Sequence, residues 1–164
     1  MRKGASPPFL CMTTNIRFED RDITTVTDGI IMHGCNAARA MNSGVAKDLR
    51  ASFPQIFDKY VAHLDAGYGL GTTCWVQVTP TLLIANSITQ QSYGAIGSGV
   101  YASVSAIAAA LKEVMQRAAE LDAVLYMPRI GGLRGGLNFT CEVLPAVEYL
   151  SQEHNVAVVI CDKP

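Results

Sequence analysis

Apolar residues recur along this chain with two different spacings, and the two spacings alternate. Between residues 100 and 121 they return every three or four positions, which is the period of a helix with one buried face. Residues 29–32, 123–127 and 156–161 are short, unbroken or nearly unbroken apolar runs, which are typical of strands buried on both sides. Helices that alternate with buried strands predict a layered α/β domain with a mixed, largely parallel central sheet.

Local signals predict further strands and the last helix. We expect strands at residues 16–18, 74–78 and 82–88, which are rich in β-branched and aromatic residues or alternate in polarity. Asn138 is suited to cap the last long helix, which reaches about residue 152. Pro145 inside that stretch indicates a kink or a later start, because proline has no backbone N–H.

Two helices are expected between the second and third predicted strands. Ser43 is suited to cap a helix over residues 44–52. Pro54 then forces a break, because the residue before a proline is disfavoured in helical conformation. A second helical piece is expected over residues 55–64, before a glycine-rich loop.

Length and composition indicate one folded unit. The chain has 164 residues, of which 49% are hydrophobic and 16% charged, a balance that supports a hydrophobic core. Residues 1–13 contain glycine, serine and paired prolines, which predict a flexible N-terminal extension. Residues 14–164 are expected to form a single domain.

Charge and hydropathy disfavour two classes of partner. The formal net charge is −1, and no run of Lys or Arg extends beyond Arg2-Lys3, so a nucleic-acid-binding face is not expected. No apolar stretch reaches the roughly 20 residues that cross a bilayer, so no membrane span is expected. The N-terminus also lacks the apolar core of a secretory signal.

The five cysteines predict neither a metal site nor a disulfide framework. They are scattered, odd in number and include no C-x-x-C pair. We expect buried, reduced thiols in a cytoplasmic protein, with no metal and no cofactor.

Two glycine-bearing turns are the strongest functional signal. One follows the strand at residues 29–32 and leads into Ser43-Gly44-Val45-Ala46, and the other, residues 131–136, follows the strand at residues 123–127. Such turns before helices expose backbone N–H groups that bind phosphate. A simple connector between strand and helix needs fewer glycines. Two anion-binding turns predict a ligand with a central diphosphate, and neither turn has the sequence of a Walker loop or of a hydride-cofactor fingerprint.

Polar residues near the predicted strand ends each have two interpretations. The Asn36 amide is placed to bind a ribose hydroxyl or to orient a water, or it only tolerates a left-handed turn. The Asp22 carboxylate and the Ile23 N–H are placed to recognise adenine, or Asp22 caps a turn. His33 is placed to act as a general base, or it is a hydrogen-bonded core residue.

Four motifs together resemble the macrodomain family, which binds ADP-ribose in a three-layer α/β/α fold. They are Asp22-Ile23-Thr24, Gly34-Cys35-Asn36 with Ser43-Gly44-Val45-Ala46, Ile84-Ala85-Asn86-Ser87-Ile88-Thr89-Gln90, and Met127-Pro128-Arg129-Ile130-Gly131. The resemblance covers residues 16–161. The His-Gly-Cys-Asn and Ile-Thr-Gln versions are similar to the branch that includes ADP-ribose 1''-phosphate phosphatases, some of them phage-encoded.

The resemblance implies a role for each motif. Asp22 and Ile23 would contact adenine, Asn36 would hold the distal ribose, and the two turns would wrap the diphosphate. Phe139 falls where the family often has an aromatic beside the distal ribose, and His33 matches a histidine associated with phosphatase activity. The implied ligand-binding positions are Asp22, Ile23, Asn36, Ser43, Gly44, Val45, Ala46, Gln90, Ile130, Gly131, Gly132, Leu133, Arg134, Gly135, Gly136 and Phe139.

Some positions depart from the family pattern. Asn42 replaces a frequent glycine in the first turn, and Arg134 is added in the second, where its guanidinium either clamps a phosphate or points to solvent. Gln90 and Gly135 stand where related glycohydrolases use a lysine and an aspartate. Gln90, Gln91 and Tyr93 are expected at one edge of the site.

The leading functional hypothesis is therefore hydrolysis of ADP-ribose 1''-phosphate. Backbone N–H groups would neutralise phosphate charge while His33 and Asn36 position a water. The alternatives are a noncatalytic reader of ADP-ribose or of ADP-ribosylated proteins, and an ADP-ribosyl hydrolase.

Overall fold

In the computed structural model, residues 15–163 are described, and within them the predicted alternation of strands and helices is observed. The strands are β1 (Ile16–Asp20), β2 (Gly29–Asn36), β3 (Thr73–Thr79), β4 (Leu82–Gln90), β5 (Leu125–Met127) and β6 (Val158–Asp162). The helices are α1 (Gly44–Ser52), α2 (Gln55–Asp65), α3 (Val104–Leu121) and α4 (Leu144–His154). The flexible extension predicted for residues 1–13 lies outside the described residues.

The strands form one six-stranded sheet in the order β1-β6-β5-β2-β4-β3. Neighbouring strands are parallel except for β3, which pairs antiparallel with β4. The prediction of a mixed, largely parallel sheet is confirmed. Since parallel strands finish at the same edge of a sheet, the turns after β2, β4 and β5 all open at one edge.

Helices cover both faces of the sheet, which gives the expected three layers. Ile30 and Met32 of β2 pack in a core cluster with residues of α3 and α4. Ile31 and Cys35 pack in a second cluster with residues of α1 and α2. Alternation along a strand sends successive side chains to opposite faces, so a strand buried on both sides is apolar at nearly every position.

β2 is longer than the sequence predicts. Its parallel pairing with β4 continues from Gly29 opposite Leu82 to Cys35 opposite Ile88, with a shift of register before Asn36. Backbone pairing with a neighbour, which a hydrophobic pattern does not report, therefore keeps residues 33–36 extended. As a result, His33 is a strand residue inside the layers and not a turn residue.

One helix begins later than expected, and the last helix begins at the later of its expected positions, each for a local reason. α3 starts at Val104 and not near residue 100, because the Ser103 hydroxyl accepts from the Ala106 N–H at 3.2 Å as an N-cap. Asn138 does cap, accepting from the Cys141 N–H at 3.1 Å, but the turn that follows is π-helical over Phe139–Val143. α4 then starts at Leu144 with a proline in its first turn, the later start that this proline indicates.

The expectation that the cysteines are buried, reduced thiols is met in part. Cys35, Cys74 and Cys161 are buried free thiols, whereas Cys141 is free and exposed. Within residues 15–163 no helix is long and apolar enough to cross a membrane.

We predict that Gly29→Ala lowers the free energy of unfolding by about 2–4 kcal/mol. Gly29 has φ +108°, and a Cβ there would lie 2.6 Å from the Val124 carbonyl oxygen. Gly67→Ala is the matched control, since Gly67 has φ +97° with no atom within 4 Å of such a Cβ. It should cost only about 1 kcal/mol in urea denaturation. Equal losses in the two variants would contradict the clash at Gly29.

Candidate binding cleft

A cleft opens at the sheet edge where β2, β4 and β5 end. Three stretches of chain line it, within residues 34–46, 89–94 and 128–135. The predicted site residues that line it are Asn36, Ser43, Gly44, Val45, Ala46, Gln90, Ile130, Gly131, Gly132, Leu133, Arg134 and Gly135. The two glycine-bearing turns, far apart in sequence, thus face a single cleft.

The first wall of the cleft is the N-terminal end of α1. Ser43 occupies the N-cap position, as predicted, but its side chain makes no capping hydrogen bond. The first N–H groups of α1 therefore lack a side-chain acceptor from the cap residue. Helix N-termini carry a partial positive charge, so this wall favours an anion.

The second wall is the turn over residues 128–136, which is tightly folded. The Gly132 N–H donates to the Arg129 carbonyl at 3.0 Å, and the Leu137 N–H donates to the Gly131 carbonyl at 2.8 Å. Gly131 has φ +79°, and a Cβ on Gly135 would lie 2.7 Å from the Gly131 oxygen. Several glycines are therefore needed to bring the backbone this close together, which a simple connector would not require.

Arg134 bridges the space between the two walls. Its side chain lies against Gly44, where an added Cβ would be 3.2 Å from the Arg134 Cδ. No carboxylate lies within ion-pair distance of its guanidinium among residues 15–163. Nor does any Asp or Glu of that part of the chain line the cleft. The cleft is therefore positively charged.

Arg129 also lines the cleft, but its charge is compensated. Its guanidinium donates to both carboxylate oxygens of Asp162, at 2.8 and 3.1 Å. These hydrogen bonds raise the pKa of Arg129 above its ordinary value. The same group lies over the rings of Phe18 and Phe139, 5.0 and 5.7 Å from their centroids. Arg129 thus holds the second wall in place and leaves Arg134 as the uncompensated cation.

Asn36 lines the cleft, and in this structure its side chain organises the turn that follows β2. Its Oδ1 accepts from the Ala38 N–H at 2.9 Å and the Ala40 N–H at 3.3 Å, while Nδ2 donates to the Ala40 carbonyl at 2.9 Å. The amide is therefore fixed in orientation. Its second N–H has no acceptor among residues 15–163 and is available to a ligand.

Asp22 and Ile23 lie in a second, adjoining cleft. The two clefts adjoin, because they share the lining residues Val45, Pro128, Arg129 and Leu133. Asp22 caps the turn Ile23–Thr25, with Oδ1 accepting from the Thr24 N–H at 3.0 Å and the Thr24 hydroxyl at 2.8 Å. These bonds lower the pKa of Asp22. The capping interpretation is observed, and Asp22 remains at the cleft surface.

His33 is not brought to either cleft. Its side chain is 0% exposed between the sheet and α2, with Nε2 at 2.5 Å from the Asn86 Oδ1. Burial lowers the pKa of His33 to about 4, so the ring is neutral at pH 7. The interpretation of His33 as a hydrogen-bonded core residue therefore matches its environment. β2 continues through residue 33, and from this strand the side chain points into the layer of α-helices.

Two further predicted residues also lie away from the cleft lining. Phe139 is 5% exposed in the core cluster packed under α3, with Arg129 over its ring. Gly136 packs against the main chain of residues 99–100. The late start of α3 places that main chain there.

Several cleft residues were not predicted as ligand contacts. Cys35, Ala40, Thr89, Gly94 and Arg129 are examples. Thr89 and Cys35 lie at strand ends in apolar surroundings and carry no local signal of function. Arg129 is adjacent to predicted positions and could have been found from its place between β5 and the glycines. Tyr93, expected at one edge, does line the cleft.

Comparison with solved structures supports the fold. A macrodomain protein from Streptomyces coelicolor superposes with a TM-score of 0.76 at 28% identity, covering 91% of this chain and 99% of that one. The macrodomain of Mycobacterium tuberculosis DarG superposes with a TM-score of 0.76 at 20% identity, covering 91% and 98%. This chain has the macrodomain fold.

The macrodomain fold expected from the motifs is thereby confirmed. Thermosipho africanus DarTG, determined in complex with ADP-ribose, shares this fold with a TM-score of 0.73 at 14% identity, over 92% of this chain and 42% of that one. No protein-family model matches the sequence, and no curated protein matches it. The similarity of this chain to known proteins is therefore clearer in its structure than in its sequence.

Within residues 15–163, no group of three or more His, Cys, Asp or Glu side chains is arranged to hold a metal ion.

We predict that His33 makes stability fall in mild acid. Its folded-state pKa of about 4 lies below the ordinary value of 6.5, so the unfolded chain binds the proton more tightly. The free energy of unfolding should therefore drop by up to about 3 kcal/mol as the pH falls from about 6.5 to about 4. Urea denaturation across this range measures the drop.

His33→Gln should be less stable at pH 7 but should lose less stability on acidification. A wild-type pH dependence in His33→Gln would show that other groups account for the acid sensitivity.

Proposed function

We propose that the cleft binds ADP-ribose. One observation carries the proposal: the N-terminal end of α1 and the glycine-rich turn over residues 128–136 face each other with the guanidinium of Arg134 between them. Among residues 15–163, no carboxylate pairs with this guanidinium or lines the space. Such a site suits a compact anion with more than one phosphate. The DarTG structure bound to ADP-ribose, which shares the fold, supports the same ligand.

The adjoining clefts support a definite orientation of that ligand. The adenine would lie beside Asp22 and Ile23, and the diphosphate between Gly44 and the turn over residues 131–135. The distal ribose would then reach Asn36, whose amide retains a free N–H. Leu133 is 75% exposed and lines both clefts, so its side chain is placed to cover the ligand where they join.

We predict that Arg134→Gln weakens ADP-ribose binding about tenfold, because a charged hydrogen bond to phosphate is lost. Calorimetric titration is the measurement. Arg17→Gln is the matched control, since it removes the same charge from β1 at a residue outside both clefts, and it should change affinity less than twofold. Equal weakening in both variants would indicate a general charge effect and not a phosphate contact.

Hydrolysis of ADP-ribose 1''-phosphate is the second candidate function. It is favoured by the position of Arg134 and the α1 N-terminus close to Asn36, since a 1''-phosphate on the distal ribose would lie among these donors. A water oxygen would attack phosphorus as the bond to the ribose oxygen breaks. Inorganic phosphate and ADP-ribose are the products, and the water proton passes to the departing oxygen.

The catalytic groups proposed for this step differ from those expected from sequence. Since His33 is fully buried outside the cleft, we do not propose it as the base. Asn36 would orient the water, while Arg134 and backbone N–H groups stabilise the transferring phosphoryl group. With no strong base in this set, turnover is expected to be slow.

We predict that the wild-type protein releases phosphate from ADP-ribose 1''-phosphate, and that Asn36→Ala abolishes release while retaining weakened ADP-ribose binding. His33→Gln should retain release at pH 7, provided it is folded. A phosphate-detection assay alongside calorimetry makes this measurement. ADP-ribose binding by the wild type without phosphate release would support the alternative of a reader of ADP-ribose or of ADP-ribosylated proteins.

Chemistry based on a lysine is not proposed for this cleft. Gln90, at the position where related glycohydrolases use lysine, lines the cleft and donates from Nε2 to the Ser92 carbonyl at 2.7 Å. An amide cannot act as an acid or a base at neutral pH. ADP-ribosyl hydrolysis would therefore have to proceed through the ligand's own phosphate.

A further inference from the structure

The turn over residues 36–40, which lies at the cleft, is hydrogen-bonded to helix α2. The Tyr60 hydroxyl lies 2.6 Å from the Asn36 carbonyl oxygen and 2.9 Å from the Asn36 Oδ1, so it donates to Asn36. It also accepts from the Ala40 N–H at 3.2 Å. One side chain of α2 thus contacts both ends of the Asn36–Ala40 turn.

Tyr60 is outside the cleft and fully enclosed. Its side chain is 0% exposed, packed in the core cluster beneath α1 and α2, and it does not line either cleft. Burial raises the pKa of Tyr60 well above its ordinary value of 10.0, so the hydroxyl keeps its proton at neutral pH. A buried hydroxyl needs partners within the protein, and the turn supplies them.

Apart from Tyr60, the turn is held by the Asn36 side-chain bonds to Ala38 and Ala40 and by the Ala37 N–H, which donates to the Gln90 carbonyl at 2.9 Å. Arg39 within it adopts φ +62°, a conformation that is unfavourable for a residue with a side chain. Its other link to α2 is the ion pair from Arg39 to Asp65, in which both side chains are about half exposed, at 49% and 59%. Exposed pairs contribute little to stability. The Tyr60 hydroxyl is therefore the main constraint that α2 places on the turn.

We propose that Tyr60 is a positioning residue that sets the affinity of the cleft for the distal ribose by fixing the Asn36 amide. The proposal rests on the proposed binding of ADP-ribose. Tyr60 should affect only the binding of ligands that carry the distal ribose, because Asn36 would contact only that part. The adenine would bind at Asp22, and the diphosphate at Gly44 and the second wall. ADP has the same adenosine and diphosphate and lacks the distal ribose.

The test is calorimetric titration of Tyr60→Phe with ADP-ribose and with ADP. Phenylalanine keeps the buried ring and removes the hydroxyl. Affinity for ADP-ribose should fall about tenfold while affinity for ADP stays within twofold of wild type. Backbone amide exchange should also show faster exchange of the Ala40 N–H in the variant, because that group loses an acceptor.

Two control variants separate positioning from general loss of stability. Ser151→Ala removes another buried hydroxyl, which donates to the Val156 carbonyl at 2.7 Å in a part of the core that does not line the clefts. It should leave the affinities for both ligands unchanged. Asp65→Asn weakens the exposed pair and should change ADP-ribose affinity less than threefold.

Each outcome decides the inference. An unchanged ratio of ADP-ribose to ADP affinity in folded Tyr60→Phe would overturn it, whether both ligands bind normally or both bind more weakly. If the wild type binds neither ligand, the proposed function fails. In that case amide exchange still tests whether the Tyr60 hydroxyl holds the Asn36–Ala40 turn. Unchanged exchange of the Ala40 N–H in Tyr60→Phe would overturn that role, and faster exchange would support that role.

Discussion

The parallel pairing of β2 with β4 is the constraint on which the rest of the structure depends. It runs in register from Gly29 opposite Leu82 to Cys35 opposite Ile88, then shifts by one residue before Asn36 and Gln90. The ladder ends at the sheet edge where β5 also ends. Consequently the turns after these strands open side by side, and the N-terminus of α1 points into the space between them.

The same pairing explains why polar residues occur in the middle of the sheet. His33 and Asn86 are opposite each other on β2 and β4 and hydrogen-bond through their side chains, and the Asn86 Nδ2 also donates to the Ile56 carbonyl at 3.4 Å. Thr73 and Ser87 form a similar buried hydroxyl pair at 3.0 Å. Buried polar groups must find partners within the protein, and the Asn86 bond to the Ile56 carbonyl links α2 to the sheet. α2 then carries Tyr60 to the turn at Asn36.

The charge of the cleft follows from an asymmetry between two arginines of one turn. Arg129 is paired with Asp162 and lies over two aromatic rings, so it serves to anchor the turn. Arg134 has no ionic partner among residues 15–163 and lies against Gly44 of the opposite wall. A cleft with backbone donors and one free guanidinium attracts an anion without needing a basic protein surface, which is consistent with a formal net charge of −1.

The sequence by itself determined the alternation of strands and helices, the positions of α1 and α2 to within about a residue, and the two glycine turns that line the cleft. These features depend on periodicity and on backbone preferences of a few neighbouring residues, which are local properties. The motifs also led to the macrodomain fold. Three local features were missed, because strand pairing and side-chain caps select among local alternatives. They are the extension of β2 to Asn36, the later start of α3 and the π-helical turn at Phe139–Val143.

Only the tertiary structure decided which of the candidate residues meet. It turned His33 into the layer beside Asn86, although the next residue, Gly34, lines the cleft, and it buried Phe139 under Arg129, four residues after the lining residue Gly135. It also brought the Tyr60 hydroxyl to Asn36, from a position that the spacing of Ile56, Tyr60 and Leu64 identifies only as core. The physical reason is that each of these contacts depends on the distance between segments remote in sequence, and that distance is set by strand register and layer packing, which no local pattern encodes.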